Sequence, residues 1–195
     1  MKKIYYGKAV YDSKEINAVI NVLRNQSLSL IDGKNVKILE KTVSSIFGKK
    51  YGLMVNSGSS ANLLALASFN FKKGSEIITP NLTFSTTVAP IYQLGLIPHF
   101  IGVEKNKFVA DPSHIEKCIN KKTVALIIPN LLGNIADWKI INAIAKKHKL
   151  RVIEDSADTI GYTIKGSNAG KFSDITTNSF YASHIINGAG FGGMA

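Results

Sequence analysis

The chain carries one cysteine in 195 residues, Cys118, so it can build neither an internal disulfide nor a cysteine-only metal cluster. A reducing, cytoplasmic setting is the expectation that follows. Arginine is almost missing too: Arg24 and Arg151 are the only ones, although the formal net charge is +11. The positive charge therefore sits on lysines, scattered in doublets such as Lys2-Lys3, Lys49-Lys50, Lys72-Lys73, Lys121-Lys122 and Lys146-Lys147. These fall at expected helix ends or turns, where a solvated face accounts for them. No recognition helix or basic-aromatic platform accompanies the charge, so no nucleic-acid partner is expected. A phosphate-bearing small substrate suits its sign. No apolar run reaches the roughly eighteen residues of a membrane span. Met1–Tyr6 has a basic start but no apolar secretory core behind it.

What is present is a chain with 45% hydrophobic residues, enough to bury a sizeable core as one domain or a little more. Asp12-Ser13-Lys14-Glu15 reads as a capping box opening a helix through Ile16, Val19, Ile20 and Leu23. A second helix follows Gly33, with Val36, Leu39, Val43 and Phe47 on one face. Short apolar runs then alternate with helical segments. Strands are expected at 52–55, 76–79, 97–103 (broken by Pro98), 123–128 and 151–154. Helices are expected at 60–71 (Leu63, Leu64, Leu66 and Ala67 inward), 86–94, from Asp111-Pro112, and 138–147. Strands separated by helices imply parallel pairing with right-handed crossovers, and so an α/β domain with helices on both faces of the sheet.

Three places carry chemistry on their own terms. Val55-Asn56-Ser57-Gly58-Ser59-Ser60-Ala61-Asn62 lies where a strand gives way to a helix, and small residues there let backbone amides approach an anion. Serine and glycine also cap helices without binding anything. Asp155 ends the apolar strand Val152-Ile153-Glu154-Asp155, at the sheet edge where ligands of α/β domains bind; it would otherwise cap the next helix. Phe84, after the strand ending at Pro80, is an aromatic that in most proteins would belong to the core. No metal site is expected.

Ser57-Gly58-Ser59-Ser60-Ala61-Asn62, Ile153-Glu154-Asp155 and the run Ser179-Phe180-Tyr181-Ala182-Ser183-His184 through Gly192-Gly193 resemble the DegT/DnrJ/StrS-type sugar aminotransferases. These are fold-type I enzymes that use pyridoxal phosphate. The resemblance runs from Tyr6 to Gly193 but covers only the front half of that family's length. It implies that residues 1–195 are the N-terminal part of a cofactor-binding large domain, apparently truncated, with the C-terminal small domain absent. It implies that Gly58, Ser59 and Ser179 hold the cofactor phosphate, that Phe84 stacks on its ring, and that Asp155 pairs with the pyridine nitrogen. Asp158 resembles an acidic choice where typical members carry glutamine or histidine. The loop Asn130–Asn134 would border sugar and cofactor, with Asn134 as a substrate contact. Phe191 departs from the family, which usually has an acidic residue before the final Gly-Gly.

His184 stands where the family's aminotransferases have the lysine that anchors the cofactor. An imidazole moves protons but forms no such bond, so an ordinary transamination cycle loses its nucleophile. Sugar 3-dehydratases of the same family carry histidine there and use pyridoxamine phosphate as a freely bound reagent. The implied reaction is loss of the C3 hydroxyl from a nucleotide-linked 4-keto-6-deoxyhexose, in deoxysugar or lipopolysaccharide synthesis, with His184 as base. In one branch the product forms by hydrolysis; in another a reductase partner and an iron–sulfur cluster, its cysteines beyond this chain, deliver electrons. A homodimer is implied for the full-length enzyme. The alternatives are a sugar aminotransferase-like protein or a truncated, non-catalytic homologue.

Overall fold

A computed structural model describes residues 9–25 and 33–195. The expectations for Met1–Tyr6 and for Lys2-Lys3 lie outside the described residues. The helices are α1 (Ser13–Asn25), α2 (Lys34–Ile46), α3 (Gly58–Ala67), α4 (Ser85–Gln93), α5 (Pro112–Cys118) and α6 (Trp138–His148). The strands are β1 (Met54–Val55), β2 (Glu76–Pro80), β3 (Ile97–Ile101), β4 (Thr123–Pro129), β5 (Arg151–Asp155), β6 (Thr163–Ile164), β7 (Ser167–Asn168), β8 (Ile175–Ser179) and β9 (Gly193–Met194).

Local chemistry sets the helix starts. The expected capping box opens α1: the Lys14 N–H donates to Asp12 Oδ1 at 2.7 Å, and the Asp12 N–H donates to Glu15 Oε2 at 2.8 Å. Asp111 caps α5 by accepting from the Ser113 N–H, with Pro112 in the first turn. Asp137 caps α6 through the Ile140 N–H.

Seven strands form one sheet in the order β1-β9-β8-β5-β4-β2-β3. Strands β3, β2, β4, β5 and β8 run parallel, while β9 runs antiparallel to both β8 and β1. The mostly parallel sheet expected from the βα alternation is therefore present, closed on one side by a short antiparallel return.

The strands alternate between two apolar layers, as the period of two requires. Ile77, Ala125, Ile127 and Ile153 pack with Ala65, Leu66 and Ile91 of α3 and α4. Ile78, Leu126, Ile128 and Val152 pack with Ile115, Trp138 and Ile141 of α5 and α6. Cutting a fully buried residue such as Ile127 to alanine would cost about 2–5 kcal/mol. Because side chains alternate, the last two residues of β5 point opposite ways: Asp155 shares the α3/α4 face with Ile153, and Glu154 faces the α5/α6 side.

Three expectations need correction. Pro98 does not break its strand; β3 is the sheet's edge and pairs only with β2, so its missing N–H costs no ladder bond. In α3 the inward face is Ala61, Asn62, Ala65 and Leu66, whereas Leu64 and Ala67 are exposed. That helix is apolar nearly all round, so its sequence marks no face; the small residues turn inward because they allow close approach to the sheet. Lys49 is not a solvated doublet member. Its Nζ donates to the Ser173 carbonyl at 2.6 Å, to Ser173 Oγ at 3.1 Å and to the Asp174 carbonyl at 3.3 Å, and burial lowers its pKa.

Candidate active site

The C-terminal ends of β2, β4, β5 and β8 and the N-termini of α3 and α4 converge at one edge of the sheet. Between β1 and α3, Ser57 is extended and caps the helix, its Oγ accepting the Ser60 N–H at 3.1 Å. The turn is built for close approach. A Cβ on Gly58 would lie 2.7 Å from the Cβ of Ser179, and one on Gly193 would lie 2.3 Å from the carbonyl carbon and oxygen of Ser57. Only glycine lets β9, β8 and this helix start meet so closely. Ser59 is exposed on the first turn, and Ser179, nearly buried, takes the Tyr181 N–H on its Oγ at 3.3 Å. Gly58, Ser59 and Ser179 thus frame one helix N-terminus, whose amides and dipole suit an anion.

Asp155 is 6% exposed and caps no helix. Its Oδ2 accepts two side-chain donors at 2.8 Å, Asn62 Nδ2 from α3 and Thr87 Oγ1 from α4. Among the described residues, its Oδ1 accepts only the Ala157 N–H, at 3.2 Å. Burial pushes this carboxyl above the usual carboxylate range, the Thr87 and Asn62 donors pull it back, and neighbouring Asp158 adds to the rise.

On the same edge, Asp158 Oδ2 accepts the Leu132 N–H at 2.8 Å, and Asp158 Oδ1 lies 3.3 Å from His184 Nδ1. The His184 ring is 21% exposed and meets Tyr181 edge-on at 6.4 Å between centroids. The loop carrying it is closed at its root by Phe180, whose N–H donates to the Gly192 carbonyl and whose carbonyl accepts the Gly188 N–H. Gly192 bridges in turn to Ser57, so the histidine loop and the Ser57-Gly58 turn share one anchor.

Phe84 is the residue before α4, 69% exposed, and one helical turn from Thr87. It is therefore not a core aromatic. Phe191 is 73% exposed, its ring tilted against Tyr181. Asn134 is set apart: its Nδ2 donates to the Leu131 carbonyl and closes its own turn, and no described hydrogen bond joins it to the Asp155–Asp158 cluster. Its neighbour Asn130 is fully engaged in structure, accepting from Trp138 Nε1 at 2.9 Å and donating to Ser156 Oγ and Tyr162 Oη at 3.1 Å each.

Sequence reasoning missed the supporting roles of Asn62, Thr87 and Thr177. A signal existed for the first, a lone amide inside the apolar run Ala61–Ala67. It lacked one for the threonines, which a strand or a helix start carries for many reasons. Among the described residues no cluster of histidine, cysteine and carboxylates has a metal-binding arrangement, and no helix is long and apolar enough to cross a membrane.

Residues 10–195 match the model of the DegT/DnrJ/EryC1/StrS aminotransferase family. The chain belongs to that family. It is 34% identical over 184 residues to a GDP-4-keto-6-deoxy-D-mannose 3-dehydratase of Yersinia pseudotuberculosis, covering 91% of this chain and 46% of that protein. It is 38% identical over 166 residues to a UDP-N-acetyl-3-dehydro-α-D-glucosamine 3-aminotransferase of Acidithiobacillus ferrooxidans, covering 85% of this chain and 45% of that one. Among solved structures, an E. coli GDP-4-keto-6-deoxy-D-mannose-3-dehydratase with bound hydrated PLP superposes with a TM-score of 0.89 at 32% identity, over 97% of this chain and 50% of that one. The chain spans about half the length of these family members, and the seven-stranded architecture is the family's.

Proposed function

We propose that the full-length protein is a pyridoxamine-phosphate-dependent dehydratase acting at C3 of a nucleotide-linked 4-keto-6-deoxyhexose, in deoxysugar or lipopolysaccharide biosynthesis. The observation that carries this reading is His184 in contact with Asp158, beside a buried carboxylate and a glycine-serine helix start, with no lysine in the run from Ser179 to Gly193.

The residues present fit the cofactor. The cradle of Gly58, Ser59 and Ser179 suits its phosphate, the exposed Phe84 face suits its ring, and the buried Asp155 suits a cationic pyridine nitrogen. When bound, pyridoxamine phosphate supplies an amine for the sugar's keto carbon and a ring that accepts an electron pair. The protein's part is to hold and move protons. Asp155, as an anion, keeps the pyridine nitrogen protonated. Asp158 lies 3.3 Å from Nδ1 of His184, and a ring proton held on that nitrogen would leave Nε2 a free lone pair. Nε2 would accept a proton from the amine-bearing methylene carbon of the bound cofactor and give one to the C3 hydroxyl, which would leave as water as the C3–O bond breaks. Asn134, on the neighbouring loop, is proposed to contact the sugar, and a second subunit of a homodimer to complete the pocket.

The 38% identity to an aminotransferase supports a second reading, transfer of an amino group to a sugar. The imidazole of His184 favours the dehydratase, because it leaves that position without an amine to hold the cofactor between half-reactions. Incubating full-length protein with pyridoxamine phosphate and GDP-4-keto-6-deoxy-D-mannose, and following C3 by NMR, separates the two. Loss of the C3 hydroxyl, abolished by His184→Asn, supports dehydration; an amino sugar formed with the C3 hydroxyl kept overturns it.

A further inference from the structure

The carboxylate of Asp155 is the end point of two converging hydrogen-bond chains. In one, Thr83 Oγ1 donates to Thr87 Oγ1 at 3.0 Å, and Thr87 Oγ1 donates to Asp155 Oδ2 at 2.8 Å. In the other, Thr177 Oγ1 donates to Asn62 Oδ1 at 2.6 Å, and Asn62 Nδ2 donates to Asp155 Oδ2 at 2.8 Å. An ionised carboxylate can only accept, and that sets the directions. The Asn62 nitrogen then faces Asp155, which leaves the Asn62 oxygen to take the Thr177 hydroxyl proton from β8. The Thr87 hydroxyl gives its hydrogen to the same carboxylate and is left to accept from Thr83.

Asn62, Thr87 and Thr177 are each no more than 2% exposed. They come from α3, α4 and β8, three elements whose packing needs no polar atoms there, since Ala65, Leu66 and Ile91 already fill that layer. Apolar side chains of the same shape would serve packing as well. The polar set instead matches one charge state. Both chains deliver hydrogens to Oδ2, and a proton on that oxygen would displace a donor. Among the described residues, Oδ1 keeps one long backbone contact.

We infer that Asn62 and Thr87 are positioning residues for the proposed reaction: together they saturate Oδ2 of Asp155, fix the carboxylate as an oriented anion, and leave Oδ1 as the oxygen available to a cationic ring nitrogen. Thr177 acts one step further out by fixing the Asn62 amide. The inference rests on the dehydratase reading for its chemistry, but the arrangement of donors stands without it. Burial and the charge of Asp158 oppose the anion, and the Thr87 and Asn62 donors favour it. The other titratable groups described near this edge are Glu154, on the opposite face of β5, and His184, which faces Asp158.

The test uses full-length protein, first freed of cofactor, with carbon-13-labelled aspartate and the Asp155 signal assigned by Asp155→Asn. Thr87→Val removes the hydroxyl at constant shape, Asn62→Leu removes the amide, and Thr87→Ser restores the hydroxyl. The Asp155 carboxyl is expected to titrate at higher pH in Thr87→Val and in Asn62→Leu, and to return toward the wild-type midpoint in Thr87→Ser. After loading with pyridoxamine phosphate, kcat should fall about tenfold or more in Thr87→Val with the sugar KM little changed, as for lost support of an active-site ligand. The ring's absorbance should lose its protonated form at lower pH than in wild type.

If Thr87→Val melts earlier yet titrates at Asp155 as wild type does, the network is only structural and the inference fails. If Asn62→Leu fails to fold, the Thr87→Val and Thr87→Ser pair decides alone. Wild-type protein that binds no pyridoxamine phosphate sinks the proposed function and leaves the titration result standing. Wild type that binds it, with variants unchanged in midpoint and spectrum, sinks this inference alone.

Discussion

His184 Nδ1 lies 3.3 Å from Asp158 Oδ1, and the other oxygen of that carboxylate holds the Leu132 N–H. Two loops thus meet at one side chain, which lies against the imidazole on its Nδ1 side. Replacing Asp158 with alanine should lower kcat about 10- to 100-fold, the range seen when an orienting partner is removed. The melting temperature should barely change, because both partners are partly exposed and such pairs contribute about 0–1 kcal/mol. Steady-state kinetics beside a thermal melt check this: equal losses in both would mean that the pair is merely structural.

The approach of α3 to β8 depends on Gly58 opposite Ser179. Gly58→Ala puts a methyl 2.7 Å from the Ser179 Cβ and should destabilise the fold by about 1–3 kcal/mol. It should also weaken cofactor binding. Adding Ser179→Gly removes the atom struck, so the double variant should recover stability relative to Gly58→Ala alone. Urea unfolding of the four proteins of this cycle measures the coupling.

Glu154 and Asp155 are adjacent and both buried, yet they serve opposite faces. Glu154 Oε1 accepts from Ser156 Oγ and Tyr162 Oη at 2.7 Å each, and Oε2 accepts from Ser173 Oγ at 3.2 Å. Burial still raises its pKa above the ordinary value of 4.5. A carboxyl whose folded pKa is raised contributes its full stability below the unfolded value and loses it as pH climbs through the folded one. The stability of wild type relative to Glu154→Gln should therefore be greatest below pH 4.5 and shrink as the pH rises above it. Urea titrations at several pH values give the slope; a difference that grows toward neutrality would contradict the sign.

The legible parts of the fold were those in which a strand or a cap is specified locally. β2, β4 and β5 are short β-branched runs between polar breaks, and α1 and α5 announce their starts through Asp12 and Asp111-Pro112. The inward face of α3 was only partly legible: Leu66 does face the sheet, but it does so beside Ala61, Asn62 and Ala65, while Leu64 is exposed. The antiparallel return of β9 was hidden for a similar reason: two residues of pairing, fixed by the close approach of Gly193 to Ser57, leave no periodicity. At the candidate site, Asp155 and the glycine turn stood out because edge position and small side chains are local properties. The donors that orient Asp155 did not, because Asn62, Thr87 and Thr177 come together only once three separate elements have packed.

The decisive measurement concerns how pyridoxal phosphate is held by the full-length protein. After incubation with the aldehyde form and reduction with borohydride, mass spectrometry of the denatured protein should show no mass increase for wild type. His184→Lys should gain one cofactor on the new side chain. A wild-type protein that comes through the same reduction with the cofactor fixed to a lysine would contradict the account.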